Sequence, residues 1–318
     1  MIKRINFLLR VEYNFFIPVI LFLIITLPQV VIADGSIPVK QIKHLFTIKG
    51  SKANPLSLPS DVSVDQNGDI YIIDSGNHRI KVFDDSGESI STISKNGQKQ
   101  GDLRNPVGID VDKDNIYVAD KDNHRIQVFN KDGIHKNSII LKQGDKLIRP
   151  VDVAVNKKLK LLYVTGNNNH KVMVYDYSGK LLYQWGGEGT NRGDFRYPAT
   201  IAIFKNNIYV VDVLNSRVQV FNAKGELQSI VGEWGVLPGQ LFRPKGVALD
   251  NKGNIYVSDS YLGVIQVFSS DTHFRYVLSE NKEPYKFTSP AGITIDKQNH
   301  LYVSEMLKNQ VSVFSLEP

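Results

Sequence analysis

Four arginines stand at related places in this chain. Arg104, Arg149, Arg196 and Arg243 precede Pro106, Pro150, Pro198 and Pro244 by one or two residues, and Lys286 lies four before Pro290. Phe195, Tyr197, Phe242 and Tyr285 accompany them. Guanidinium groups grip carboxylates and phosphates through two parallel hydrogen bonds and stack on flat rings. A convergent set of this kind would hold an anionic or glycan-like ligand. The competing chemistry is local, with each arginine pairing a nearby acid such as Asp102 or Asp194 on a solvated surface.

Two further groups could do chemistry. Asp61 and Asp152 stand two residues after a recurring proline, where other copies carry Gly108, Gly246 and Gly292, and Asp110 lies nearby. Three carboxylates brought together would offer hard oxygen ligands to a divalent cation, calcium above all; otherwise they would salt-bridge to the arginines. No other cofactor is expected. His78, His124 and His170 fall in repeated Asn-His-Arg or Asn-His-Lys triplets. Metal ligands must converge within ~2 Å of one ion, and each triplet sits in its own unit, so a structural turn is the expected role. In that role Asp74, Asp120, Asp212 and Asp259 accept from turn donors drawn from Asn77, His78 and Arg79, Asn123, His124 and Arg125, Asn169 and His170, and Asn215 and Arg217.

These residues are positioned by a repeat. A tyrosine recurs at Tyr71, Tyr117, Tyr163, Tyr209, Tyr256 and Tyr302, in steps of 46, 46, 46, 47 and 46. A closing aromatic recurs at Phe83, Phe129, Tyr175, Phe221, Phe268 and Phe314 with the same steps, and a proline at Pro59, Pro106, Pro150, Pro198, Pro244 and Pro290. Each unit carries three short β-branched and aromatic segments of period two, separated by turn residues, and a weaker fourth such as 181–185 or 227–231. Four antiparallel strands make one propeller blade, and helical solenoids are excluded by the lack of helical periodicity. The expected fold is an all-β, six-bladed β-propeller. Its last repeat ends after three strands, so residues 44–49 are expected to supply the fourth strand of the blade formed by 290–315 and to close the ring.

The triplets Asn77-His78-Arg79 and Asn123-His124-Arg125, with the preceding Tyr-x-x-Asp and the following Ile-x-Val-Phe, resemble the signature of NHL repeats. The likeness covers about residues 42–318, though the triplet drifts to Asn215-Ser216-Arg217 and is lost around Leu262-Gly263-Val264 and Asn309-Gln310-Val311. The resemblance implies that the loops leading into the innermost strands and the Asn-His-Arg turns share one rim where ligands bind, and that the ligands are proteins, peptides or glycans. Six-bladed relatives also include metal-dependent lactonases and peptide-amidating lyases. In the lyases a histidine directly after the strand-opening proline binds zinc; here those positions hold Ser60, Val107, Val151, Ala199, Lys245 and Ala291, and that zinc set is absent. A non-catalytic binding scaffold is the expectation, with a metal-dependent enzyme as the alternative. RNA binding, known for cytoplasmic NHL propellers, is disfavoured.

Composition and the N-terminus bound these readings. The chain is 42% hydrophobic, enough for a core, and has no cysteine, which excludes disulfides, thiol nucleophiles and cysteine-ligated zinc. Its net charge is +6, of which Lys3, Arg4, Arg10 and Glu12 supply +2. The remaining +4 is weak footing for nucleic acid. Lys3, Arg4 and Arg10 precede an apolar run from Phe15 to Val31 and then Val31-Ile32-Ala33. This reads as an export signal cleaved after Ala33, or as an uncleaved anchor over residues 15–33. Residues 34–41 read as a linker and 42–318 as the propeller, a monomer outside the cytoplasm, periplasmic, secreted or membrane-anchored, that meets the membrane only through its N-terminal segment.

Overall fold

The computed structural model describes residues 37–317. The export signal or anchor at 1–33 and the start of the linker lie outside the described residues. Residues 37–317 contain six sheets arranged as the blades of a β-propeller, five of four strands and one, blade five, enlarged to six. Blade one consists of Pro59–Val64, Ile70–Asp74, Arg79–Phe83 and Ser89–Ile93, from the innermost strand outward. Every innermost strand begins at the recurring proline: Pro106–Val111, Pro150–Asn156, Pro198–Phe204, Pro244–Leu249 and Pro290–Ile295 follow. The first residue of a strand is a position where proline's missing N–H breaks no ladder. Each innermost strand touches the next, and Pro290–Ile295 touches Pro59–Val64.

The core is divided among the blade interfaces. Tyr71 of blade one packs with Ile109, Val118 and Phe129 of blade two. Tyr117 then packs on Tyr175 of blade three, and Tyr163 on Phe221 of blade four. Tyr209 and Phe268, Tyr256 and Phe314, and Tyr302 and Phe83 complete the circle. The recurring tyrosine of one blade and the closing aromatic of the next are thus the two halves of one interface, repeated six times.

The N-terminal segment spans two blades. Lys43–Ile48 pairs antiparallel with Gln310–Ser315, with His44 opposite Phe314 and Ile48 opposite Val311. The linker reading needs correction at its end: Val39–Gln41 is a strand, paired in parallel with the outer strand Phe274–Glu280 of blade five. Pro38 and Ser279 carbonyls accept from Val277 N and Ile42 N at 2.9 and 3.0 Å, and Ile42 is buried between the two pairings. Period-two patterning is too short over three residues to reveal such a strand. A chain beginning at Leu58 is expected to lose its single cooperative unfolding transition, because the third strand of blade six and the outer strand of blade five would be left as bare edges. Calorimetry on that chain and on residues 34–318 checks this, and indistinguishable melting curves would rule the closing role out.

Candidate functional site

One rim of the ring is built on a buried acid at the end of the second strand in five of the six blades. Asp120 accepts from the main-chain N of Arg104 at 2.7 Å, from Asn123 Nδ2 at 2.8 Å and from Arg125 Nε at 2.7 Å. Asp74 receives Ser57 N, Asn77 Nδ2 and Arg79 Nε, and Asp212 receives Arg196 N, Asn215 Nδ2 and Arg217 Nε. All three acids are inaccessible to solvent. Blade five keeps Asp259 but fills it with the main-chain N of Phe242, Arg243, Tyr261 and Leu262. Blade six uses Glu305 with Gln310, Ser312 and Thr288 N. Blade three departs: Gly166 stands where the acid would be, Asn169 instead contacts Met173, and Asn168 takes over the Arg149 N. These hydrogen bonds tie each lead-in loop to the turn beside it. A buried carboxylate left without its arginine, or an arginine without its carboxylate, costs about 3–5 kcal/mol.

The histidines belong to the same device. His78, His124, His170, Ser216, Gly263 and Asn309 are equivalent, and all six adopt the left-handed conformation, with φ between 53° and 66°. That requirement explains the drift of the triplet, since glycine and asparagine are the residues that reach this region most easily. The side chain also reaches the next blade: His78 Nδ1 accepts from Asn105 N at 3.0 Å, His170 Nδ1 from Tyr197 N at 3.3 Å, and Asn309 Oδ1 from Leu58 N at 2.8 Å. His124 Nδ1 is buried without a partner, because Asn168 has claimed the donor it would have used.

The lead-in arginines fare differently. Arg104, Arg149, Arg196, Arg243 and Lys286 are all exposed on this rim. The main-chain N–H groups of the four arginines hold the loop and their side chains do not, whereas Lys286 Nζ donates to the Leu262 carbonyl at 3.3 Å. Among the described residues, Arg149 approaches Asp122 at 4.0 Å, and no carboxylate lies that near to Arg104, Arg196 or Arg243. The local pairing with Asp102 or Asp194 does not occur; those residues instead offer their carbonyls to Arg125 and Arg217 of the framework. Phe242 stacks near Tyr261 at 4.3 Å and Trp234 at 6.2 Å.

Asp61, Asp110 and Asp152 come together along a central cavity of about 460 Å³, lined by the innermost strands and reaching Lys157 and Lys205. They do not bridge to the arginines. Asp61 Oδ2 accepts from Ile109 N of the next blade at 2.9 Å, Asp110 Oδ2 from Val155 N at 2.8 Å, and Asp152 Oδ2 from Ile201 N at 2.9 Å. The other oxygens of Asp110 and Asp152 accept from Val111 N and Val153 N. Both oxygens of Asp110 and Asp152 thus accept from main-chain N–H donors. Among the described residues, no three His, Asp or Glu side chains are placed to hold one ion.

Two family models match the chain. The NHL repeat covers residues 56–83 and 103–129, and a six-bladed beta-propeller model covers 187–317. The chain carries NHL repeats within a six-bladed β-propeller. Over 100 residues the NHL propeller is 33% identical to protein brain tumor of Drosophila melanogaster, a match that spans 30% of this chain and 10% of that protein. Its fold is shared by a streptogramin B lyase, with a TM-score of 0.63 and 14% identity over 85% of this chain and 97% of the other. A catalytically inactive virginiamycin B lyase from Staphylococcus aureus with quinupristin gives 0.60 and 15% over 86% and 89%.

Sequence reasoning missed Lys245 of the NHL propeller. Its ammonium lies 5.9 Å from the centre of the Tyr197 ring, and its proton affinity is lowered by burial first and then by Arg243 and Lys121. It was the one charged residue among the six positions that follow the opening prolines, which was the available signal. Also missed were Gln127, Gln219 and Gln266, whose side-chain oxygens accept from Gly101, Gly193 and Gly239 and brace the lead-in loops.

Two predictions follow the geometry. Asp120→Ala should lower stability by about 3–5 kcal/mol in chemical denaturation, since Arg125 would be buried without a counter-charge; a loss below about 1 kcal/mol would show that the acid is dispensable. In the cavity, burial pushes the Asp61 carboxyl up to about 7, against the pull of the Ile109 and Val62 N–H groups. Asp152 is also raised, by burial and then by Asp61. A carboxyl that holds its proton more tightly when folded stabilises most below its unfolded value of ~3.9, and loses that contribution as the pH rises through its folded value. The wild type should therefore lose stability relative to Asp61→Asn between about pH 4 and pH 7, and parallel melting curves would contradict this.

Proposed function

We propose that this NHL propeller is an exported, non-catalytic binding module, and that its lead-in rim engages an anionic group on a protein, peptide or glycan. One observation carries the reading. Among the described residues, Arg104, Arg196 and Arg243 are exposed without a carboxylate partner, while Asp120, Asp212 and Asp259 beneath them are taken up by the framework. Lys245 adds a half-buried cation whose charged neighbours, Arg243 and Lys121, are themselves positive. Guanidinium groups held free by main-chain bonds are ready to form charge-assisted hydrogen bonds at little ordering cost. The apolar run at residues 15–31 supports a location outside the cytoplasm, by cleavage or by anchoring.

The likeness to lyases is a likeness of fold, and the catalytic alternative draws no residue-level support from it. The test is calorimetric titration of residues 34–318 with a glutamate-rich peptide and, separately, with a uronic-acid oligosaccharide. Arg104→Ala and Arg196→Ala should each weaken binding by roughly tenfold or more, because a hydrogen bond to a charged group is worth about 1.5–3 kcal/mol. Their melting temperatures should stay unchanged, since only main-chain atoms of these residues support the fold. Absence of binding by either probe, or unaltered affinity in both variants, would sink the reading.

A further inference from the structure

Three lead-in loops share one backbone. In each, a bridge joins two residues seven apart: Asn96 and Leu103, Glu188 and Phe195, and Trp234 and Leu241. In each, the glycine after the first of these donates to the carbonyl of the second, at 3.0–3.1 Å. The first two loops fill the positions between with Gln98, Lys99, Gln100 and Thr190, Asn191, Arg192. The third carries Val236, Leu237 and Pro238, and puts Trp234 where the others have Asn96 and Glu188. Two polar copies of the same loop fold the same way, so the apolar residues of the third are not required by the fold. They are also not buried: Trp234, Val236 and Leu237 are 71%, 61% and 63% exposed.

The patch extends beyond the loop. Tyr261, 68% exposed, joins Trp234 through Phe242. Val236 and Leu237 share a surface hollow of about 140 Å³ with Leu262, Lys286 and Ile37. Ile37 is where the chain arrives from its N-terminal segment. The apolar run ends at Val31, six residues earlier in sequence. Tryptophan and tyrosine favour the boundary between lipid and water, leucine and valine the acyl layer just inside it, and Lys286 and Arg243 stand beside the patch to meet phosphate groups. Among the described residues no helix is long and apolar enough to cross a membrane.

We infer that the loop tip at Trp234, Val236 and Leu237, with Tyr261 and Ile37 beside it, inserts into the interface of a phospholipid bilayer. This adds a membrane contact made by the propeller itself, and it holds the rim of blades four and five against the membrane surface. The residues that insert are distinct from Arg104 and Arg196, so the two readings can fail separately.

Residues 34–318 suit the test, because all six blade interfaces lie within 37–317. The chain has two tryptophans, and Trp185→Phe leaves Trp234 as the sole reporter. Mixed with vesicles of phosphatidylcholine and phosphatidylglycerol, the protein should float with the lipid. Trp234 emission should shift to the blue and be quenched by shallow bromine-labelled lipid. Val236→Ser with Leu237→Ser should reduce partitioning by about tenfold or more without lowering the melting temperature. Arg104→Ala and Arg196→Ala should leave it intact. A lack of flotation and of blue shift would overturn the inference. So would a dimer in sedimentation that dissociates in the Leu237→Ser variant while vesicles are ignored, since the patch would then join two copies of the chain.

Discussion

A propeller stands or falls on the interface that each blade makes with the next. In this chain that interface is a tyrosine from one sheet packed against the closing aromatic of its neighbour, with β-branched residues from both around them. Each sheet has two apolar faces, and neither can be covered from within the blade. The interface between Tyr302 and Phe83 is therefore as necessary as the other five, although its halves come from opposite ends of the chain. The near-constant spacing of the repeat follows from the same need, because all six blades must present the same two surfaces at the same angle.

The rim is held by a second device that leaves side chains free. A buried acid draws in the main-chain N–H of the lead-in loop together with donors from the adjacent turn. Where the acid has changed to glutamate in blade six, glutamine and serine complete the set; in blade three, Gly166 replaces the acid and Asn168 holds the Arg149 N that His124 would otherwise have taken. Since the loop is fixed through its backbone, residues such as Arg104 and Arg196 vary at little cost to the fold. A carboxylate that would quench them in solution is already spent below.

The ring is symmetric in its backbone and uneven in its chemistry. Three loops of one shape carry two polar surfaces and one apolar surface. The residue after the opening proline is charged only at Lys245. The channel has carboxylates in blades one, two and three, each stitched to the main chain of the following blade. Those carboxylates join inter-blade hydrogen bonds to a proton affinity raised by burial.

The amino-acid sequence by itself determined the repeat, the strand that opens at each proline, the aromatic pair and the class of fold. All of these are local or periodic patterns, and period two with regular spacing suffices to reveal them. The left-handed turn position was not legible: the triplet reads as lost around Gly263 and Asn309, and only the backbone shows these residues as equivalents of His78. Only the tertiary structure decided which groups meet across blades. Asp61 finds Ile109, Asp152 finds Ile201 and Lys245 finds Tyr197 at separations of 48–49 residues, where the angle between blades sets the contact and no local pattern reports it. The same holds for Val39–Gln41, whose partner lies in blade five, and for the arginines. Their neighbours in sequence offered acids, but those side chains point elsewhere because the framework uses their carbonyls.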